Sequence, residues 1–139
     1  MGYMDCNNRL TWSSQSADDT SATGDHADVF APGQRVNVHA VGAIVSTVAS
    51  GAATVQFDKT SGGTRGAADA GVVTIPDTTA VNQVIRDTTD TIFPFVLEVG
   101  EFITPEVSTA ATSGGAHYFI EYEPIQDTDA NEANVTESA

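Results

Sequence analysis

Apolar residues in this chain come in short, β-branched runs, each closed off by Gly, Pro or a cluster of Thr, Ser and Asp. Short runs with period-two alternation are the pattern of half-buried strands. Behind the Pro32-Gly33 turn, Val36, Val38 and Ala40 fall on one face. Gly42 interrupts, and residues 43–48 continue as strand or as the far side of a bulge. Ser50-Gly51 then leads into residues 53–59, where Val55 and Phe57 alternate with Gln56 and Asp58 in a hairpin pattern. Residues 71–75 form another short strand, ended by Pro76. Phe93, Phe95, Leu97 and Val99 share a face, and Pro94 marks that strand as edge-like or newly started. The clearest hairpin comes last, from residues 106–112 through Ser113-Gly114-Gly115 into residues 116–123. In its second half Tyr118, Ile120 and Tyr122 face one way, and His117, Phe119 and Glu121 the other. Aromatic side chains on both faces place this strand between a core and a second contact surface, which predicts an oligomer.

The remaining segments are less regular. Residues 60–71 read as a glycine-rich surface loop, without the Lys-Ser/Thr of a P-loop or the GxGxxG spacing. Val81, Val84, Ile85 and Thr88 sit at helical spacing behind an N-cap at Asp77, while their β-branching favours a strand; residues 78–91 are open to either. Residues 1–28 form a polar N-terminal arm whose apolar exceptions are Leu10 and Trp12. Trp12 either folds back on its own core or anchors in a partner's pocket. From residue 125 to 139 the chain is an acidic, turn-rich tail. The expectation is one all-β domain over residues 29–124, a β-sandwich or jelly-roll-like fold, with an extended arm before it and the tail after it.

Composition supports sheet: the hydrophobic fraction is 40% and the shortfall is filled by Thr, Ser, Ala and Gly rather than by charge. Charge narrows function further. Five Lys and Arg stand against nineteen Asp and Glu, for a net −14, and Lys59 is the single lysine. Cations this sparse cannot build a phosphate-neutralising surface, which argues against nucleic acid and anionic lipid as partners. Such acidity suits a saline medium, where screening shortens self-repulsion to about 8 Å or less. Cys6 alone allows no disulfide framework and reads as an inert thiol. The first residues lack a basic n-region and an apolar h-region, and no run approaches the ~20 apolar residues of a membrane span. A soluble protein folded in a cytoplasm is expected.

Catalytic and metal chemistry find little footing. His26, His39 and His117 lie in separate segments without ligand spacing, and His39 reads as an exposed strand histidine. Asp127-x-Asp129-x-Asn131 imitates the start of an EF-hand loop, but Glu132 replaces the glycine of the sharp turn and Ser138 the final Glu. Pairs such as Glu98 with Glu121 do not differ from solvated sheet-surface acids. No GxSxG elbow is present, and Asn134-Val-Thr is a glycosylation sequon only in a secreted context. The expectation is a non-enzymatic protein with no cofactor and no metal.

Residues 30–34 (Phe-Ala-Pro-Gly-Gln), the parallel Val99-Gly-Glu-Phe-Ile entry, the short Thr/Ala/Val-rich strands and the closing Tyr118-Phe-Ile-Glu-Tyr-Glu strand carry one likeness. With the polar arm, this combination resembles the decoration or cement proteins of tailed bacteriophages, over roughly residues 28–124. The resemblance implies a protein made in the host cytoplasm and seated on the outer capsid surface of the virion. Its partner would be the major capsid protein, and it would form a homo-oligomer with a trimer favoured. Leu10, Trp12, Phe30, Tyr118 and Tyr122 are the candidate partner-interface residues. The rival reading is a secreted or cell-surface carbohydrate-binding sandwich, for which Tyr118, Tyr122 and Trp12 would have to form a solvent-facing platform.

Overall fold

A computed structural model describes residues 9–125, all of them in strands, turns and loops with no helix among the described residues. The strands are β1 (Leu10–Ser13), β2 (Asp18–Asp19), β3 (Gly24–Asp25), β4 (Val36–Ser50), β5 (Ala53–Ser61), β6 (Thr64–Gly66), β7 (Val72–Ile75), β8 (Val84–Asp87), β9 (Phe95–Leu97), β10 (Phe102–Thr109) and β11 (Ser113–Pro124). They form two antiparallel sheets. The first runs β1-β11-β4-β8, with β2 also on β11 and β9 also on β4; the second runs β3-β10-β5-β6, with β7 also on β5.

The core lies between the sheets. Val36, Val38, Val41, Ala43 and Val45 of β4 and Tyr118 and Ile120 of β11 meet Val55 and Phe57 of β5 and Ile103 and Val107 of β10. The Phe57 and Tyr118 rings cross the gap edge-on, with centroids 6.0 Å apart, the geometry preferred by aromatic quadrupoles. The faces read for Val36 and Val38, Val55 and Phe57, and Tyr118 and Ile120 are therefore buried here, whereas Val99, read on one face with Phe93, Phe95 and Leu97, lies beyond β9 and is 69% exposed.

Both expected hairpins are instead crossings from one sheet to the other. Ser50-Gly51 carries β4 of the first sheet into β5 of the second, and residues 110–112 carry β10 of the second into β11 of the first. The two crossings brace each other: the Thr112 N–H donates to the Ser50 carbonyl at 2.8 Å, and Gly51, at φ +81°, lies against Thr112. Glycine and serine make the chain reverse, but they do not determine which sheet receives the next strand. Asp77, read as a helix N-cap, accepts the Gly51 N–H at 2.7 Å and so ties down the same corner.

Other differences have local causes. The glycine-rich loop contains a hairpin, because Gly62 and Gly63 both take positive φ (58° and 81°) between the paired Ser61 and Thr64, as a two-residue I′ turn requires. Residues 84–87 are a strand, preceded by turns with positive φ at Thr78 and Asn82. Of the residues read as an arm, Leu10–Ser13, Asp18–Asp19 and Gly24–Asp25 are strands at the sheet margins. Edge strands need backbone partners more than apolar side chains, so a polar segment can supply them. Residues 1–8 and 126–139, including Cys6, the EF-hand-like segment and the sequon, lie outside the described residues.

Gly42 and Phe119 are cross-strand partners on the outer face of the first sheet. A side chain at Gly42 would overlap the Phe119 ring and the Ile85 carbonyl oxygen. Phe119 is thereby buried within its own chain, 5% exposed. The aromatic on the second face of β11 thus needs no partner protein, contrary to the reading that took it as a contact surface.

Candidate functional site

The candidate interface residues separate into buried and accessible sets. Tyr118 is fully buried and Phe30 is 2% exposed, so neither can meet a partner in this fold. Trp12 is half-buried and rests on Phe30 with ring centroids 5.8 Å apart, while Tyr122 packs at a tilt against the same ring at 4.8 Å. Trp12 is a flap on its own core. Leu10, at 48% exposure, is the accessible apolar member. Burial of Tyr118 also removes the two-tyrosine platform on which the carbohydrate reading depended.

Trp12 sits where the margins of the two sheets come together. Here a groove of 410 Å³ is lined by Trp12, Ser13 and Gln15 on one side and Ala27, Asp28 and Val29 on the other. Hydrogen bonds fix both walls. The Gln15 and Ser16 N–H groups donate to the Asp28 carboxylate at 2.9 and 3.1 Å. The Asp28 N–H donates to His26 Nδ1 at 2.8 Å, so His26 carries its proton on Nε2, which donates to the Ser16 carbonyl at 3.1 Å. The Ser16 backbone donor, helped by the Gln15 donor, outweighs the opposing effect of burial and lowers the Asp28 carboxyl pKa, which keeps it ionised beside the groove.

Within the first sheet, the Tyr118 hydroxyl of β11 donates to Asp18 of β2 at 2.6 Å. Burial foremost, and then the Asp18 carboxylate, push the phenol far above its ordinary range. Tyr118→Phe removes this bond and is expected to cost about 1–2 kcal/mol in urea unfolding. An unchanged midpoint would mean that the bond is made equally well to water.

A second polar constellation crosses the outer face of the other sheet. The Arg65 guanidinium forks onto both Asp25 oxygens at 2.7 and 2.9 Å, and its Nε donates to Asp58 at 2.8 Å. Asp58 is only 1% exposed and also accepts the Ala68 N–H at 2.6 Å and the Gln56 amide at 3.0 Å. Burial raises the Asp58 pKa, but the Ala68, Arg65 and Gln56 donors outweigh it and the net shift is downward. Glu106, sharing the Gln56 amide at 2.9 Å, shifts upward through burial and the neighbouring Asp58 charge. A carboxyl raised on folding supports stability below its unfolded pKa and loses that support as pH rises through the folded value. Glu106→Gln is therefore expected to stabilise the fold at pH 7, by no more than about 1 kcal/mol at this half-exposed position. The gain should vanish below about pH 4; thermal melts across pH 3–8 check this, and a loss at pH 7 would refute it.

The constellation anchors a sheet: β3, β5, β6 and β10 each contribute a side chain to it. Glu98 and Glu121, noted from sequence as an arbitrary carboxylate pair, are held by different arginines, Arg35 and Arg86. His39 is half-buried rather than exposed, between Arg9 and Glu123. It stands at the bulge where Glu121 pairs with Ala40 and Tyr122 with Val38. His117 contacts the Ser14 carbonyl at 3.3 Å. Among the described residues no three His, Cys, Asp or Glu side chains gather in a metal-holding arrangement. Comparison with protein-family models, curated proteins and solved structures finds no match for this chain.

Proposed function

We propose that this chain is a non-enzymatic virion structural protein that binds the outside of a phage capsid and cements neighbouring major capsid subunits. The supporting observation is strand order. If β2 is set aside, and β6 with β7 and β8 with β9 each count as one strand, eight strands remain. The first sheet then holds the first, eighth, third and sixth strands in space, and the second holds the second, seventh, fourth and fifth. We read this order as a jelly roll, an arrangement recurrent in viral shell proteins. A fold does not carry a function by itself; the reading also draws on the surface. A rigid two-sheet body with an open margin beside an aromatic cluster suits adhesion more than turnover, and its acidity suits a basic partner surface.

In this role the protein bridges subunits that would otherwise separate, and repetition around a symmetric shell multiplies modest contacts through avidity. A homo-oligomer, with a trimer favoured, would match a site where several capsid subunits meet. Titration of purified empty capsids, read by co-sedimentation, tests the reading. Saturable attachment that weakens with salt is expected; no saturable attachment at any ionic strength would reject it.

A further inference from the structure

We propose that the outer margin of β1 is a docking edge for an extended, basic segment of the partner protein, which joins the first sheet as an additional strand. The inference deepens the adhesion reading and rests on it for the partner being a protein surface. Its basis is backbone geometry. β1 pairs with β11 without a register shift, and the Ser14 N–H donates to the Tyr118 carbonyl at 2.9 Å. Alternation in an antiparallel ladder then assigns Trp12 to a hydrogen-bonded pair with Ile120, and turns the N–H and C=O groups of Thr11 and Ser13 away from β11. Among the described residues no strand pairs with that side of β1. An edge of this kind is a template for strand addition.

Charge selects the occupant. Residues 10–34 contain Asp18, Asp19, Asp25 and Asp28 and not one Lys or Arg. Arg65 neutralises Asp25, whereas Asp28 lines the groove beside Trp12 and Val29. A strand laid along β1 would direct alternate side chains toward this groove. An apolar side chain there would meet Trp12 and the exposed Val29, and a cationic one would meet Asp28. An alternating apolar and basic segment fits this margin; an acidic one is repelled.

The probe is a labelled octapeptide alternating lysine and valine, titrated into the full chain by fluorescence anisotropy. Saturable binding is expected, together with slowed amide exchange at Thr11 and Ser13. Loss of the bridging hydrogen bonds, by N-methylating the peptide throughout or by Thr11→Pro, should weaken binding about tenfold or more. Thr11→Pro removes an outward N–H and no bond to β11; if that variant does not fold, the N-methylated peptide decides on the unaltered protein. Replacing lysine by glutamate in the peptide should abolish binding. Failure of the lysine–valine peptide to bind would overturn the proposal. So would equal binding of the N-methylated peptide, or protection at other amides. Binding that appears only after removal of residues 126–139 would assign the edge to the chain's own tail. Dimers broken by Thr11→Pro would assign it to a second copy. Capsid attachment retained by Thr11→Pro would reject this edge while sparing the adhesion reading, whereas wild-type protein that ignores capsids would reject that reading whatever the peptide does.

Discussion

Gly42→Ala is expected to cost about 3 kcal/mol, the upper end of overpacking penalties. A glycine within a fifteen-residue strand usually reads as a weak point. Here it is the floor on which Phe119 lies, and the overlapping atoms include the Ile85 backbone carbonyl, which cannot swing aside as a side-chain tip can. Adding one methyl group must displace the ring, β8, or both. Urea unfolding of Gly42→Ala, Phe119→Ala and the double variant forms a cycle. A coupling of about 1–2 kcal/mol, with part of the glycine defect relieved when the ring is absent, is expected. A Gly42→Ala midpoint within about 0.5 kcal/mol of wild type would show that Phe119 does not pack there.

Asp58→Ala is expected to cost about 3 kcal/mol at pH 7. Asp58 is the buried acceptor of a cluster whose other charged groups are partly exposed, and removing it leaves the donors aimed at it short of a partner. The Ala68 N–H and one arm of Arg65 would lose their partner, although Arg65 keeps its fork on Asp25 and Glu106 loses a repulsive neighbour, so the cost stays below the largest values of this class. The sign with pH follows from the lowered Asp58 pKa. A depressed carboxyl contributes stability above its unfolded value, about pH 4, and loses it as pH falls through the folded value. The gap between wild type and variant should therefore be full at pH 7 and close below about pH 4. A gap that persists unchanged into strong acid would contradict the assignment.

The strands with apolar alternation were legible in the sequence, because one buried face imposes a period of two: Val36 and Val38, Val55 and Phe57, Tyr118 and Ile120 are all core residues. Connectivity was not legible. Ser50-Gly51 and Ser113-Gly114-Gly115 have the residues of hairpins, yet the choice of receiving sheet depends on packing across the core, which no local turn encodes. Polar edge strands escaped for a related reason, since Asp18–Asp19 and Gly24–Asp25 are placed by backbone pairing and by the polar contacts of Asp18 with Tyr118 and Asp25 with Arg65, not by an apolar face.

The candidate site was half legible. Trp12 stood out as a lone aromatic in a polar segment, but its contact with Phe30 lies eighteen positions away in sequence. Phe30 and Tyr118 were aromatic enough to suggest an interface, and burial shows that they serve the core. The Arg65 constellation draws on residues 25, 56, 58, 65 and 106, a set that becomes a group only when β3, β5, β6 and β10 lie side by side. The glycine pair that builds its hairpin, Gly62-Gly63, was the available sign of a turn within the loop.

Capsid stability is the most direct measure of cementing, because attachment alone does not require it. Empty particles heated with and without saturating protein should dissociate at different temperatures, the decorated ones higher, with the increment scaling with occupancy. Particles that bind the protein to saturation yet fall apart at the undecorated temperature would contradict the account.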